Sequence, residues 1–405
     1  MESNLTSPKP TSITNVLTLR YDPSIIPNLP RKTWSDLKPL VEKPSIEFIE
    51  KSIEKTLQKQ LDISSVKKIC IALSGGIDSA LILTLIKKTM PDIEVDAISI
   101  KFANSIDETE NASKIAAKLE ANHHVIYVEN YLHELPKAIS IIKLPFWDLH
   151  WYYVVKKSQS LSKYLASGDG GDELFGGYTF RYKKFLALTN ANSTPLEKTK
   201  AYLLCHERDR VPDQEKLFGK KSKFSWESIY EKLIGHFDNP LSPIEQVFLA
   251  DYNGKLLYNF NPINTRILNH FDTKSISPLL SEGMISYALG IPLQHKYDKT
   301  KNIGKLALRK LLSKYNMDNL ISNEKLGFNV NTLNLWKSFG QSLCQEYLID
   351  SHIVNSGWIN KDWIGKYIHK ADLDVRYVNK FLGLLAFEIW YRLFITKEMS
   401  PNEKL

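Results

Sequence analysis

The segment SGDGGDELFGGY at residues 167–178 limits the possible folds of this chain more than any other stretch. It combines five glycines with three acidic side chains in twelve positions. Glycine makes a regular backbone costly to order, and neighbouring carboxylates repel each other, so a continuous helix or strand is unfavourable here. A short apolar run, LSKYLA (161–166), precedes the segment, and an aromatic stretch follows it. The pattern predicts a loop that leaves a strand and enters a helix.

A second loop of this kind occurs at SGGIDS, residues 74–79, between the apolar run VKKICIAL (66–73) and the helical pattern ALILTLIKKTM (80–90). Its adjacent glycines allow a tight turn that brings backbone N–H groups close to an anion, and the start of the helix adds positive potential. No GK[ST] follows, which separates it from the loop that grips a γ-phosphate.

Strands and helices alternate in the region around these loops. A helix at 45–60 precedes runs that predict strands at 66–73, 95–102, 123–129 and 161–166, with helical patterns between them. Such alternation predicts an α/β fold with a parallel sheet and right-handed crossovers. We predict three parts: an N-terminal arm or cap (1–44), a nucleotide-binding region (45–190) and a mainly helical part (191–405).

The two loops are expected to meet, because ligands bind beyond the carboxyl ends of parallel strands. Asp78 would repel phosphates unless a Mg²⁺ ion lies between them, and Asp172 from the other loop could share that ion. Gly168, Gly170 and Gly171 would let the backbone pass close to a ribose or phosphate. Asp169 is then left to face the reacting centre.

At these residues the chain resembles the synthetase domain of the asparagine synthetase family, within the broader group of PP-loop ATP pyrophosphatases. SGGIDSA (74–80) matches the family's pyrophosphate loop, and 167–178 matches its second signature almost letter for letter. KLALR (305–309), EKLGF (324–328) and LLAFEIWYRLF (384–394) are similar to further family stretches. The resemblance implies a PP-loop (adenine nucleotide alpha hydrolase-like) domain with a mainly helical C-terminal portion.

The resemblance also implies an AMP-forming carbon–nitrogen ligase that uses ATP and Mg²⁺. A substrate carboxylate, aspartate being the first guess, attacks the α-phosphate of ATP and releases pyrophosphate. Ammonia or another amine then displaces AMP from the acyl-adenylate to form an amide. The protein's part is to position the reactants and stabilise charge in a dry site.

Individual roles follow from the family's pattern. The backbones of Leu73 and Ile100 would hold adenine, and Ser167 and Gly168 would contact the ribose and phosphate side. Pyrophosphate would be held by Ser74, Gly75, Gly76, Asp78 and Ser79, and magnesium by Asp78 and Asp172. Asp169 stands where the family has an acidic residue linked to intermediate formation or amine deprotonation. Lys325 and Lys305 would stabilise charge on the phosphates or in the acyl transition state.

Two departures from the family bear on substrates. Glutamine-using members begin with a glutaminase whose cysteine follows the initiator Met, whereas this chain has Glu2. We therefore expect free ammonia, a separate glutaminase subunit or a different amine as the nitrogen source. Where the family has a D-R pair followed by E-x-R-x-P-F-L-D, this chain has Thr265–Arg266 and KSISPLLS (274–281). The change either alters the acid pocket or removes a structural salt-bridge cluster, and we favour altered specificity.

Three other functions stay open at this point. The same adenylation could serve another acid, with cyclisation as in β-lactam synthetases or another amide product. A tRNA-modifying PP-loop enzyme fits a net charge of +8 and a pI near 9.0, although the chain has no CxxC spacing. A catalytically silent partner subunit is the last, and the intact aspartates of both loops argue against it.

The remaining composition indicates a cytoplasmic protein without a membrane partner, and lysines spread along the chain favour a mildly basic surface over a nucleic-acid-binding stripe. The start, MESNLTSPKP, has no apolar signal core, and the three cysteines are isolated. The longest apolar stretch (381–395) is too short to span a bilayer and contains Glu388 and Arg392. Their i,i+4 spacing predicts an ion pair on a buried helix.

Overall fold

A five-stranded parallel sheet lies at the centre of the computed structural model, which describes residues 8–61, 66–103, 105–320 and 330–405. Its strands are β1 (Lys68–Ala72), β2 (Glu94–Phe102), β3 (Asn122–Val128), β4 (Tyr164–Ala166) and β5 (Lys274–Ile276). Their order is β3-β2-β1-β4-β5, and every neighbouring pair is parallel. A small antiparallel pair, β6 (Tyr297–Asp298) and β7 (Ile303–Gly304), lies outside the sheet.

Helices flank the sheet and form most of the C-terminal portion. The first eight are α1 (Pro10–Leu19), α2 (Ile46–Gln60), α3 (Ile77–Thr89), α4 (Thr109–Lys118), α5 (Leu135–Ile142), α6 (His150–Gln159), α7 (Gly171–Phe175) and α8 (Thr179–Leu188). The next seven are α9 (Pro195–Cys205), α10 (Gln214–Leu217), α11 (Trp226–Leu233), α12 (Pro243–Asp251), α13 (Asn261–His270), α14 (Glu282–Leu289) and α15 (Leu306–Ser313). The last are α16 (Thr332–Leu335), α17 (Gln341–Leu348), α18 (His352–Asn355), α19 (Lys361–Tyr367) and α20 (Val375–Tyr391). A π-helical segment, Tyr252–Phe260, joins α12 to α13.

The sheet separates two apolar cores. On β1, Ile69 and Ile71 belong to the core that contains α2 and α3, whereas Cys70 and Ala72 belong to the core that contains α5, α6 and α20. A strand buried on both faces needs an unbroken apolar run, and this is why ICIA shows no alternation of polar and apolar residues.

The predicted α/β class with a parallel sheet and a mainly helical C-terminal portion is confirmed. Strand β5 was not predicted. It has only three residues, of which Lys274 and Ser275 are exposed, so it lacks the apolar run of a buried strand. It pairs with β4 and lies within the part of the chain predicted to be helical, so residues far along the sequence complete the sheet. The predicted boundary at residue 190 stays a prediction.

The N-terminal part contains a helix that its Pro, Ser and Thr content did not predict. Helix α1 buries Ile13 and Leu17 in the same core as α20. Arg20, which follows α1, pairs with Asp148 at 3.0 Å and with Asp209 at 3.6 Å. Lys380 of α20 donates to the carbonyl groups of Leu17 and Asp209. Buried charges therefore attach residues 8–20 to the body of the protein.

The predicted pair between Glu388 and Arg392 is confirmed, with Arg392 Nε 2.8 Å from Glu388 Oε1. Glu388 is fully buried and also accepts hydrogen bonds from the backbone N–H groups of His352 at 3.1 Å and Ile353 at 3.0 Å. Its carboxylate therefore satisfies two N–H groups at the start of α18, which would otherwise lack partners within the helix. Among the described residues, no helix combines the length and the apolar character needed to cross a membrane.

Glu388→Gln is expected to destabilise the fold, because an amide nitrogen would face one of the backbone donors that the carboxylate now satisfies. We expect the free energy of unfolding to fall by roughly 1–3 kcal/mol in chemical denaturation. Glu398→Gln is the matched control, since Glu398 is exposed and pairs with the side chain of His352. That variant should change stability by less than about 1 kcal/mol, and equal losses in both variants would contradict this role of Glu388.

Candidate active site

The two glycine-containing loops meet at the carboxyl edge of the sheet. β1 and β4 are neighbouring parallel strands, so the loop that follows each strand leaves from the same edge. Contact is close: a Cβ atom added at Gly168 would lie 2.6 Å from Asp78 Cβ and 2.8 Å from the Asp78 carbonyl carbon. Only glycine fits at 168 without moving the first turn of α3. The expectation that the loops face each other is met.

Lys305 connects the two aspartates that were predicted to share a metal. Its Nζ lies 2.5 Å from Asp78 Oδ2 and 2.7 Å from Asp172 Oδ1. Burial alone would lower the pKa of Lys305, but the charges of Asp172 and Asp78 outweigh it and raise the pKa above its usual value. The amine is therefore an ammonium ion, and it draws both loops and the start of α15 to one point.

Gly177 permits this convergence. A Cβ atom at this position would overlap Asp172 Oδ1 and lie 2.5 Å from Lys305 Cε. Tyr178, the next residue, donates its hydroxyl to Glu173 at 2.5 Å and stacks under Arg181, whose Cζ is 3.9 Å from the ring centre. At the end of the 167–178 segment, Gly177 thus leaves room for the ion pair, and Tyr178 contacts Arg181 of the following helix.

The 74–79 loop is closed by its own serines. Ser79 Oγ donates to the Gly76 carbonyl at 3.2 Å and accepts from the Ser74 N–H at 3.3 Å. The hydroxyls of Ser74 and Ser79 are 3.4 Å apart, and Gly75 has a φ of +75°. The loop therefore has a defined shape, with both hydroxyl groups on one side of the turn at the start of α3.

The backbone of Leu73 is held by β2. Its N–H donates to the Ile98 carbonyl at 2.9 Å, and its carbonyl accepts from Ser99 Oγ at 2.6 Å. His123 Nε2 lies 2.9 Å from the same hydroxyl, so a side chain from β3 steadies it. Pairing of β1 with β2 ends at Ala72 and Ile98, and Ile100 lies beyond it on β2. Leu73 and Ile100 therefore lie beyond the last paired residues of β1, on the edge that carries the loops.

Asp169 belongs to the same loop segment as Asp172 but has different partners. It is half-buried and accepts from Asn264 Nδ2 of α13 at 3.2 Å. Burial raises the pKa of Asp169, and the hydrogen bonds from Ser167 and Asn264 oppose the rise only in part. Ser167, in turn, is 3.0 Å from the hydroxyl of Ser277, just after β5. Asp169 is thus better suited than an ordinary aspartate to take up a proton near neutral pH.

The residues at the family's acid-pocket positions, among which Arg266 keeps the family's residue, have partners in different parts of the fold. Thr265 donates to the Asn261 carbonyl at 2.8 Å, and Arg266 donates to the Ile142 carbonyl. Lys274 lies at the amino end of β5, with its Nζ 5.4 Å from the Tyr164 ring centre. Ile276 is buried in the sheet, opposite Ala166. Of these, only Ile276 is at the carboxyl end of a strand, next to Ser277.

Lys325, predicted to be catalytic, and the EKLGF stretch around it lie outside the described residues.

Sequence reasoning missed three side chains that shape the site. Asn264 and Ser277 support the second loop, and Ser99 supports Leu73. Asn264 immediately precedes the Thr265–Arg266 pair, and Ser277 lies inside KSISPLLS, so both were within reach of the motif comparison. Ser99 begins SIKF (99–102), which is also similar to a family stretch, but that similarity assigned no role to its hydroxyl group.

The arrangement fits a magnesium nucleotide. Asp78 and Asp172 offer the oxygen ligands that Mg²⁺ prefers, and Ser74 and Ser79 offer hydroxyl donors for phosphate. Within the described ranges, no group of three or more His, Cys, Asp and Glu side chains is arranged to hold a metal ion. Two carboxylates suit a metal that keeps water and phosphate oxygens as its other ligands.

Comparison with known proteins gives the family. The asparagine synthase family profile matches residues 49–392, which is most of the chain. The chain belongs to the asparagine synthase family. It is 27% identical over 375 residues to asparagine synthetase [glutamine-hydrolyzing] 1 of Bacillus subtilis, covering 82% of this chain and 57% of that protein. A putative asparagine synthetase of Mycobacterium bovis is 22% identical over 397 residues, covering 87% of this chain and 58% of that protein.

This chain therefore spans little more than half the length of these curated relatives. Among solved structures, NMN synthetase from Francisella tularensis is 18% identical, with a TM-score of 0.28, covering 51% of this chain and 92% of that one.

Gly168→Ala is expected to separate the two loops, since the added methyl group would meet both the side chain and the backbone of Asp78. We expect a loss of roughly 1–3 kcal/mol in the free energy of unfolding and weaker binding of a fluorescent ATP analogue. Gly365→Ala is the control, because nothing lies within 4 Å of a Cβ atom at that position. ATP-analogue binding that survives in Gly168→Ala would contradict the proposed contact between nucleotide and loops.

Proposed function

We propose that this protein is an ATP-dependent, AMP-forming carbon–nitrogen ligase of the asparagine synthetase type. It adenylates a small carboxylic acid, with aspartate as the first candidate, and then transfers the acyl group to ammonia or another amine. The observation that carries the proposal is the convergence of Asp78 and Asp172 on one ammonium group at the carboxyl edge of a parallel sheet. Membership of the asparagine synthase family supports the same reaction class.

ATP would bind across this edge. The backbones of Leu73 and Ile100 would hold the adenine, with Leu73 kept in place by Ser99. Ser167 and Gly168 would contact the ribose and α-phosphate, and the 74–79 loop would take the β- and γ-phosphates that leave as pyrophosphate. Asp78 and Asp172 would hold magnesium, which supplies positive charge to the phosphates when it is bound.

In the first step, the carboxylate oxygen of the acid attacks the α-phosphorus and the bond to pyrophosphate breaks. Negative charge then accumulates on the departing phosphates. Lys305 is suitably placed to stabilise that charge, because its ammonium group lies between the two loops and is largely shielded from water, with a side chain that is 11% exposed. Shielding makes such charge stabilisation stronger than it would be in water. Lys325 is proposed to share this role.

In the second step, the amine nitrogen attacks the acyl carbon, AMP leaves, and the nitrogen loses a proton. Asp169 is proposed to accept that proton. Burial raises the pKa of Asp169 and so makes its carboxylate a stronger base, and Asn264 donates a hydrogen bond that orients the carboxylate. A base of this kind typically contributes roughly 10²–10⁴-fold to the rate.

A different acid substrate is the second candidate, favoured by the replacements at the family's acid pocket. Charged family residues of different character are replaced here by Lys274 at the amino end of β5, by Ile276 within the sheet and by Ser281. An acid without the α-amino and α-carboxyl groups of aspartate would need fewer charged partners. The nitrogen source is proposed to be free ammonia, another amine or a separate glutaminase subunit, with the protein acting in the cytoplasm.

Pyrophosphate release from ATP with a panel of carboxylic acids tests the proposal. Ammonium, glutamine and simple primary amines are added in turn, and the amide product is identified by mass spectrometry. Aspartate with ammonium giving asparagine supports the first candidate, and release with another acid alone supports the second. Release that requires tRNA, or none with any acid, would overturn the ligase proposal.

Asp169→Asn separates the two steps. Without a proton acceptor, we expect amide formation to fall by roughly 100-fold or more, whereas acid-dependent exchange of labelled pyrophosphate into ATP continues. Because the pKa of Asp169 is raised, the low-pH limb of wild-type amide formation should lie above the pH at which an ordinary aspartate titrates. Loss of pyrophosphate exchange in Asp169→Asn would assign the residue to intermediate formation instead. Asp298→Asn, at the end of β6, where the Asp298 carboxylate accepts only from the backbone N–H groups of the following turn among the described residues, is a control that should affect neither step.

A further inference from the structure

Lys305 fills the space between the two carboxylates that the proposed function assigns to magnesium. Its Nζ is 2.5 Å from Asp78 Oδ2 and 2.7 Å from Asp172 Oδ1, and the three side chains are between 11% and 21% exposed. An ammonium ion and a divalent cation are attracted by the same carboxylate oxygens, and the attraction is strong where water is largely excluded. The free protein thus already carries a cation at this position.

The position of Lys305 is fixed by its backbone. Its φ is +58°, in the left-handed region that is uncommon for lysine. Its N–H donates to the Phe175 carbonyl at the end of α7 at 3.0 Å, and its carbonyl accepts from the Arg309 N–H at 2.8 Å. Asp172 belongs to α7 and Lys305 precedes α15, so the first bond holds the start of α15 against the end of α7, and the second begins the first turn of α15. The ammonium group is therefore placed by packed elements rather than by a loose side chain.

Other charges near the pair add to the barrier against a metal ion. Arg309, one turn further along α15, interacts electrostatically with Asp78 and donates its Nε to the Gly304 carbonyl at 3.1 Å. Among the described side chains, a divalent ion that approached Asp78 and Asp172 would therefore meet the positive charges of Lys305 and Arg309.

We propose that Lys305 excludes divalent metal from Asp78 and Asp172 until a nucleotide is bound, so that metal enters only together with ATP. The inference rests on the proposed function, because it needs a triphosphate at this edge of the sheet. The phosphates offer the Lys305 ammonium group new anionic partners. Lys305 then exchanges carboxylate oxygens for phosphate oxygens, and the two aspartates become available to the metal without leaving either charge unpaired.

This exchange has a use in the reaction. When pyrophosphate leaves with its metal, Lys305 returns to the carboxylates, so two neighbouring negative charges are never left without a cation. Free Mg²⁺ cannot occupy the empty site and hold Lys305 away from the position where the next ATP needs it. Lys305 thereby sets the order in which nucleotide and metal bind, in addition to any stabilisation of phosphate charge.

Binding of Mn²⁺ to the full-length protein tests this order, with the free Mn²⁺ measured by electron paramagnetic resonance. Without nucleotide, we expect Lys305→Gln to bind Mn²⁺ at least ~10-fold more tightly than the wild type, which corresponds to about 1.4 kcal/mol. With an ATP analogue that cannot be cleaved between its α- and β-phosphates, the wild type should gain Mn²⁺ beyond the amount that the analogue binds in solution. A further Asp172→Asn change should remove the site from Lys305→Gln.

Lys301→Gln is the matched control, because it removes the same charge from an exposed position four residues away. It should leave Mn²⁺ binding as in the wild type. A second readout is thermal stability: Lys305→Gln should be less stable than the wild type in EDTA and should recover when Mn²⁺ is added. If Lys305→Gln does not fold, Lys305→Met replaces it. If neither variant folds, Mn²⁺ titration of the wild type with and without the ATP analogue tests the inference alone.

Two results would overturn the inference. One is nucleotide-independent Mn²⁺ binding to the wild type that Asp172→Asn abolishes. The other is a folded Lys305→Gln protein that binds no more Mn²⁺ than the wild type. Neither depends on turnover, so failure of the ligase proposal, seen as absent pyrophosphate release with every acid, is distinguishable from failure of the binding order.

Discussion

The pairing of β1 with β4 is the constraint on which the site depends. Only two residue pairs define it, Cys70 with Leu165 and Ile71 with Ala166. Because the strands are parallel neighbours, the loops after Ala72 and Ala166 leave the sheet side by side. Glycine at 168 then allows backbone contact, and Lys305 forms ion pairs with both of the aspartates that this contact brings together. If β1 and β4 were not neighbours, the two loops would not be in contact. Glycine at 168 and the lysine between the two aspartates would then not be needed.

The sequence was sufficient for the parts of the fold that have strong local patterns. The four longer apolar runs became β1 to β4, and the juxtaposition of the loops followed from the rule that parallel strands end at one edge. The charges were harder to predict. Lys305 was expected to stabilise phosphate, but its contact with both Asp78 and Asp172 depends on the packing of α15 against α7, which no local pattern encodes. Strand β5 and helix α1 were missed for a related reason, since short or polar segments are stabilised by their neighbours rather than by their own composition.

Polar support from residues far along the chain recurs throughout the site. Asn264 reaches Asp169 across 95 positions of sequence, and Ser277 reaches Ser167 across 110. Both supporting residues lie beside or within stretches that were compared with the family, yet the comparison assigned them no role, and they orient the groups whose types the two loop motifs specify. Recognition of a motif therefore predicts which atoms are present, whereas the directions of those atoms are determined by the C-terminal helices. Departures from the family pattern, such as Lys274 and Ile276, must be judged against this framework of supporting contacts.

The separation of 227 residues between Asp78 and Lys305 has a consequence for biosynthesis. A ribosome would release the two glycine loops long before the lysine that pairs with their aspartates. Strand β5 would also still be missing from the sheet. The nascent chain would then hold a pair of like charges at an incomplete sheet edge. The last contacts at this edge therefore form late and between residues that are far apart in sequence. A molecular chaperone would be most useful at this stage, because the edge of the sheet is still exposed.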